Sequence, residues 1–318
     1  MQRIKLLASK VTHSIGISSP ATLVDKARLQ AGLHTFSCWQ IPVQVDDRVF
    51  WQNRYFAGAD QDRAHLLYDL VRDPQIGTIW SARGGYGATR ILPLLDKMQL
   101  PKLLRKNPKL MVGFSDVTAL HFYFFQKAGL PSLHAPMPGT MAWSKMTAKT
   151  KHILLSLLQG RAPIGKKSYT LDWKTKFLKG REGGAKGIIL GGNLTLLVNL
   201  IGTPWQPDLR GSLLFLEDCA EAPYRVDRML AHLENAGMLK GVRGILLGDF
   251  ASDVVYREPK EKTYWAELFR ERFQIPVLTN LPVGHIKGNQ PLPLGVPGEI
   301  RRDGKLVLWG QPVVADHS

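Results

Sequence analysis

The chain is predicted to be an α/β protein. Its first part is a parallel sheet with helices on both faces, and its second part is a mixed α/β domain. Three observations predict this. Short apolar runs alternate with helical patterns through the first half, the order that builds a parallel sheet. Two of those runs end in small-residue turns that open at once into helices, at Arg83-Gly84-Gly85-Tyr86-Gly87 and at Gly113-Phe114-Ser115. The second half has more strand-like runs and a less regular alternation.

In order, Ser14–Ser18 reads as a strand ending at Ser19-Pro20, Leu23–Leu33 as a helix and Ile41–Val45 as a strand. Asp60 is expected to cap a helix through Val71, with Leu66, Leu67, Leu70 and Val71 on one side. Ile76–Ala82 reads as a strand, Tyr86–Leu95 as a helix, Leu110–Phe114 as a strand and Asp116–Ala128 as a helix. Beyond these, strands are expected at Gly187–Leu190, Leu213–Leu216, Val242–Leu247, Val277–Leu281 and Lys305–Trp309. Helices are expected at Asn193–Ile201, Tyr224–Asn235 and Thr263–Phe273.

A length of 318 residues accommodates two domains. The expected division is 1–150, carrying Ser115, a connection over 151–180, and 181–318, carrying the later strands. The net charge of +16 is concentrated: Lys145 to Arg181 holds ten Lys or Arg against one acid, Asp172. That stretch, broken by Gly160, Pro163, Gly165 and Gly180, reads as an exposed basic connection. Such charge suits acidic substrates, nucleic acid or an anionic membrane. No zinc-finger, RNA-recognition or helix-turn-helix signature accompanies it, so nucleic acid is the lesser reading. No apolar run reaches the roughly 18–20 residues of a membrane span. The basic N-terminus has no continuous apolar segment, so no secretory leader is expected. Two cysteines, Cys38 and Cys219, show neither metal spacing nor a disulfide framework and fit a reducing cytoplasm. Cys219 reads as a small buried apolar side chain, though it lies close to Glu217.

Four segments could carry chemistry. The Arg83–Gly87 turn lets backbone N–H groups approach a phosphate, carboxylate or oxyanion, or is simply a tight turn. It lacks the Gly-Lys-Ser/Thr of a P-loop and the dinucleotide spacing. Ser115, between an apolar strand and a helix, is a nucleophile on a helix N-terminus or merely a helix cap. Its surroundings lack the last glycine of the G-x-S-x-G elbow. Leu213–Leu216 runs into Glu217 and Asp218, which point opposite ways along an extended chain, one to a site and one to solvent or the next turn. His285, between Gly284 and Gly288, is the leading base candidate among nine histidines, with His121 and His134 as neighbours of the same crevice.

Taken in order, these segments resemble the LD-carboxypeptidase family of serine peptidases, whose muropeptide carboxypeptidases and microcin-immunity peptidases share one plan. The resemblance runs through Phe56–Asp60 with Arg63, Ile79–Gly87 with Arg90, and Gly113–Leu120. It continues through Gly191–Leu197, Leu216–Asp218, Pro223–Leu230, and Gly284-His285 with Leu292–Gly295. The Ile15–Pro20 segment departs from the family's usual Ala-Pro ending. The resemblance implies a Rossmann-like N-terminal domain and a C-terminal swivelling β/β/α-type domain. It implies a nucleophile at Ser115, an acid at Glu217 and a base at His285, and no cofactor or metal. The oxyanion would be held by the N–H of Asp116 and one from the turn at Gly85. The implied activity is release of terminal D-alanine from peptidoglycan-derived tetrapeptides or muropeptides, in a cytoplasmic homodimer serving murein recycling. The competing readings are a peptidase of the microcin-immunity type, acting on a peptidyl or aminoacyl nucleotide, and a basic nucleic-acid-binding protein on the same fold.

Overall fold

The structure, a computed structural model, describes residues 14–158, 168–171, 173–179, 184–250 and 261–309. The elements of the first half are β1 (Ser14–Ser18), α1 (Lys26–Cys38), β2 (Val43–Gln44), α2 (Asp60–Arg72), β3 (Ile76–Ser81) and α3 (Ala88–Lys97). They continue with α4 (Leu100–Lys106), β4 (Leu110–Gly113), α5 (Thr118–Ala128), β5 (Ser132–His134), α6 (Met141–Ser144) and α7 (Ala148–Leu158). The second half has β6 (Ser168–Thr170), β7 (Lys176–Lys179), β8 (Gly184–Asn193), α8 (Leu194–Asn199), β9 (Ser212–Glu217) and α9 (Pro223–Asn235). It closes with β10 (Gly244–Leu247), α10 (Glu261–Arg272), β11 (Val277–Thr279), β12 (Leu292–Leu294), β13 (Pro297–Arg301) and β14 (Leu306–Trp309).

The apolar runs of the first half pair in parallel in the order β2-β1-β3-β4-β5. Strands covered on both faces need nearly unbroken apolar sequence, and β3 and β4 have it. On one face Trp80 of β3 packs edge-on against Phe36 of α1 and Trp143 of α6. On the other lie α2 and α5, joined by α3 and α4. The strand order reverses between β1 and β3, so a crevice opens where their carboxyl ends part, and ligands of open α/β sheets bind at such a point.

The second sheet runs β6-β14-β13-β8-β9-β10-β11-β7, parallel from β8 to β11 and antiparallel at both flanks. Helix α5 packs against both sheets, touching β4, β5 and β8. The hydroxyl of Thr118, its first residue, accepts the Asn193 N–H at 3.0 Å. The start of the helix behind Ser115 is thereby tied to the end of β8.

Several boundaries differ from expectation for identifiable reasons. Helix α1 begins at Lys26, because Asp25 takes the Arg28 N–H at 2.7 Å and sets the cap there. Asp60 is the first residue of α2 and not its cap: Asp62 reaches back to the Ala59 N–H at 3.0 Å. This releases Asp60 to pair with Arg63 and Arg90. Strand β12 was not expected at all; it pairs antiparallel with β5 and so extends the first sheet from the C-terminal part of the chain. The basic Lys145–Arg181 stretch lies partly outside the described residues. Its described parts include α7 and the two edge strands β6 and β7, and the lysines of β7 discourage further pairing there.

Candidate active site

Ser115 lies directly after β4, at φ +63°, a left-handed conformation that costs an L-residue energy. Phe114 before it is extended at φ −154°, and a single helical turn over Ser115–Val117 leads into α5. The sharp strand-to-helix reversal lifts the hydroxyl out of the sheet, the mechanical idea of a nucleophile elbow. Two glycines make room for it. A Cβ on Gly113 would meet Val117 at 2.9 Å, and one on Gly84 would lie 3.2 Å from the Ser115 Oγ.

The Gly84–Gly87 turn is held from three sides. The Thr22 hydroxyl, on the loop after β1, accepts the Tyr86 N–H at 3.0 Å, and a Cβ on Gly85 (φ +110°) would strike that hydroxyl at 2.2 Å. The Asp116 carboxylate accepts the Ala88 N–H at 2.7 Å, fixing the start of α3 to the residue beside Ser115. Burial lifts the Asp116 pKa to about 7, against the pull of the Ala88 N–H and Arg63. Buried Arg63 donates to the carbonyls of Pro20 and Gly87 and to Asp60, with its guanidinium 4.7 Å from the Phe56 ring centre. One side chain thus clamps the loops on both sides of the crevice. An Arg63→Ala exchange is expected to destabilise the fold by about 3 kcal/mol, since it strands buried acceptors. Denaturant titration measures that loss. A change under about 0.5 kcal/mol would show that the clamp is not needed.

Glu217 ends β9 and is fully buried. Its Oε2 accepts from the Nδ1 of His285 at 2.7 Å. Burial alone would raise the Glu217 pKa, but the facing imidazole overrides it and holds the carboxylate well below the usual range. Burial likewise presses on His285, and the Glu217 charge reverses that and lifts it well above an ordinary imidazole. The pairing commits Nδ1 and leaves Nε2 for another partner. The His285 ring packs on Phe114, beside Ser115, with centroids 4.8 Å apart. Among the described residues no hydrogen bond joins His285 to the Ser115 hydroxyl, and such bonds are often long in unliganded sites. Gly284 (φ +127°) brings the backbone against the acid, where a Cβ would fall 2.9 Å from the Glu217 Oε2. The Asn289 side chain takes the Gly284 N–H at 3.0 Å and holds this loop.

Other candidates resolve differently. Asp218 does not face solvent. It is buried and accepts from Asn193, Thr195 and the Cys219 N–H, pinning the start of α8. Burial and the neighbouring Glu217 charge raise its pKa. Cys219 is partly exposed, with its thiol close enough to His285 to influence the imidazole, so it is not a plain core residue. His121 is buried and neutral; burial pushes its pKa down to about 3, and its Nε2 donates to the Gly113 carbonyl at 3.0 Å. His134 lies at the crevice as expected, whereas Thr22 and Asn289 escaped sequence reading. Thr22 acts on Tyr86, 64 positions along the chain, and Asn289 acts within its own loop; the glycines opposite them, Gly85 and Gly284, gave the local signal. Among the described residues, no three His, Cys, Asp or Glu side chains converge as a metal site, and no helix is long and apolar enough to cross a membrane.

Comparison with known proteins shows the family and the fold. Residues 15–135 match the LD-carboxypeptidase N-terminal domain and residues 186–300 the LD-carboxypeptidase C-terminal domain. The chain is 33% identical over 289 residues to a probable murein peptide carboxypeptidase of Bacillus subtilis, covering 89% of this chain and 86% of that one. The muramoyltetrapeptide carboxypeptidase from Oxalobacter formigenes superposes with a TM-score of 0.78 at 29% identity, over 95% of this chain and all of that one. The MccF protein in complex with glutamyl sulfamoyl guanosine superposes with a TM-score of 0.85 at 23% identity, over 98% and 99% of the two chains, a likeness of fold.

Proposed function

The chain belongs to the LD-carboxypeptidase family and is a serine-type carboxypeptidase; from that premise we propose that it releases terminal D-alanine from peptidoglycan-derived tetrapeptides or muropeptides. The observation that carries the reading is the 2.7 Å pairing of His285 Nδ1 with buried Glu217, with the ring packed beside Ser115. His285 takes the Ser115 proton through Nε2 as the hydroxyl attacks the scissile carbonyl. Glu217 holds the tautomer and stabilises the imidazolium that forms. The N–H groups of Gly85 and Asp116, on the two segments that meet at Ser115, receive the oxyanion. His285 then protonates the departing D-alanine amine, and water attacks the acyl-enzyme with the same base. Residues 1–150 supply the nucleophile and 181–318 the acid and base. The reaction is assigned to murein recycling in the cytoplasm, by a homodimer.

Incubation with a tetrapeptide ending in D-alanine tests this directly, with tripeptide and free D-alanine as the expected products. Hydrolysis of an aminoacyl sulfamoyl nucleotide instead would replace the substrate with that of the microcin-immunity type. Salt-dependent RNA binding with neither hydrolysis would remove the peptidase reading. The substrate carries several carboxylates and the protein a charge of +16, so encounter is electrostatically favoured. Raising salt from about 0.01 to 0.15 M, which shortens the screening length from roughly 30 to 8 Å, is expected to lower kcat/KM severalfold and leave kcat nearly unchanged. Equal kcat/KM at both salts would dismiss steering.

A further inference from the structure

Glu217 has a second imidazole beside it. His134, the last residue of β5, is fully buried between the rings of Phe114 and Phe215, at centroid distances of 5.7 and 5.2 Å. Neither of its ring nitrogens has a hydrogen-bond partner among the described residues, and neither has the Oε1 of Glu217. These two lone groups face each other, His134 Nε2 lying 3.9 Å from Glu217 Oε1. Burying an unpartnered imidazole costs free energy that an apolar side chain would not. Here that cost is placed against the one carboxylate oxygen that His285 leaves open.

We propose that His134 is a positioning residue for Glu217, its Nε2–H donating to Oε1 in the working site and so holding Oε2 against His285. This rests on the reading of Glu217 and His285 as acid and base. The carboxylate then sits between two imidazoles, one on the loop beside Ser115 and one at the end of β5. The ionisable groups that face the Glu217 and His134 pair are His285, with Cys219 beside it, Asp218 next along the chain, and His121 on α5, which faces His134. His121 donates its Nε2–H to the Gly113 carbonyl and faces His134 with centroids 6.4 Å apart. A donor on Oε1 draws charge from the carboxylate, so its removal strengthens the hold of Glu217 on the His285 proton. That sign is the same whether His134 is neutral or protonated.

The test compares His134→Leu with His134→Gln, which keeps a side-chain N–H donor. For the Leu variant, kcat is expected to fall about 10- to 100-fold, the scale of one lost hydrogen bond to a charged group, with KM changed less than about threefold. The acid limb of its kcat/KM profile moves to higher pH, and the Gln variant recovers most of both. In parallel, NMR titration of the imidazoles in substrate-free protein, with the His285 signal assigned through His285→Gln, reads the same shift without turnover. A wild-type protein that cleaves nothing would count against the proposed function, and the NMR arm would still decide the role of His134. A Leu variant with an unmoved His285 titration overturns the proposal. So do Leu and Gln variants equally impaired at an unchanged titration, since that pattern means packing alone.

Discussion

Ser115→Ala is expected to abolish turnover, with kcat falling by about 10⁴-fold or more, because residues that act as one catalytic unit lose nearly everything when the nucleophile goes. The fold should barely notice. Ser115 is partly exposed and among the described residues makes no side-chain hydrogen bond that an alanine would strand, and alanine at φ +63° carries the same left-handed strain. Ser115→Gly sharpens the contrast. Glycine relieves about 1 kcal/mol of strain and gives back a similar amount, about 0.4–1 kcal/mol, through the freer unfolded chain. Both variants should therefore unfold within about 1 kcal/mol of wild type while neither releases D-alanine. A serine kept in a glycine's conformation at no stability advantage is what a functional constraint looks like. Residual turnover above a hundredth of wild type in correctly folded Ser115→Ala would place the nucleophile elsewhere.

The strand ends that carry Ser115 and Glu217 were legible because parallel strands covered on both faces must be apolar, so a polar residue at their end stands out. His285 was legible as a histidine between glycines, and the ordered set of segments raised all three above their local alternatives. The rest depends on contacts between residues far apart along the chain. The left-handed turn at Ser115 shows only through Gly84 pressed against it, and no serine announces its φ. For Glu217 and Asp218 the sequence left open which faced a site and which faced solvent or the next turn, because alternation along a strand gives direction without saying what lies there. What lies beside Asp218 is the start of α8, brought in by the pairing of β8 with β9. Three-residue β12 is too short for any periodicity, and its pairing with β5 joins residues more than 150 positions apart. It belongs to the same long return of the chain that places His285 near His134. The edge strands β6 and β7 were hidden by polar residues, Ser168 and Thr170 in one and two lysines in the other, since an edge strand needs no two-sided apolar sequence.

Glu217→Gln should lower kcat by about 10⁴-fold, the loss that follows the corresponding amide exchange in a Ser-His-Asp triad. The amide keeps the volume and removes the charge. It can also present an N–H to His285 Nδ1, which drives the ring proton to Nε2, the nitrogen that must accept from Ser115. Because Glu217 holds His285 above its ordinary value, the acid limb of the kcat/KM profile should move to lower pH in the variant, opposite to its movement in His134→Leu. Stability carries an independent sign. The Glu217 pKa in the fold lies below its ordinary 4.5, so its contribution is complete above that value and is lost as pH falls through the depressed one. The His285 pKa lies above its ordinary 6.5, so its contribution is complete below that value and is lost as pH rises through the raised one. Both are complete together only between 4.5 and 6.5. The gap in Tm between wild type and Glu217→Gln should be widest in that window and narrow on either side. A gap that stays constant into the alkaline range would mean the two groups are not an ion pair in the folded protein. The tautomer lock on His285 would then need another source, and the Cys219 thiol beside the ring is the first to examine.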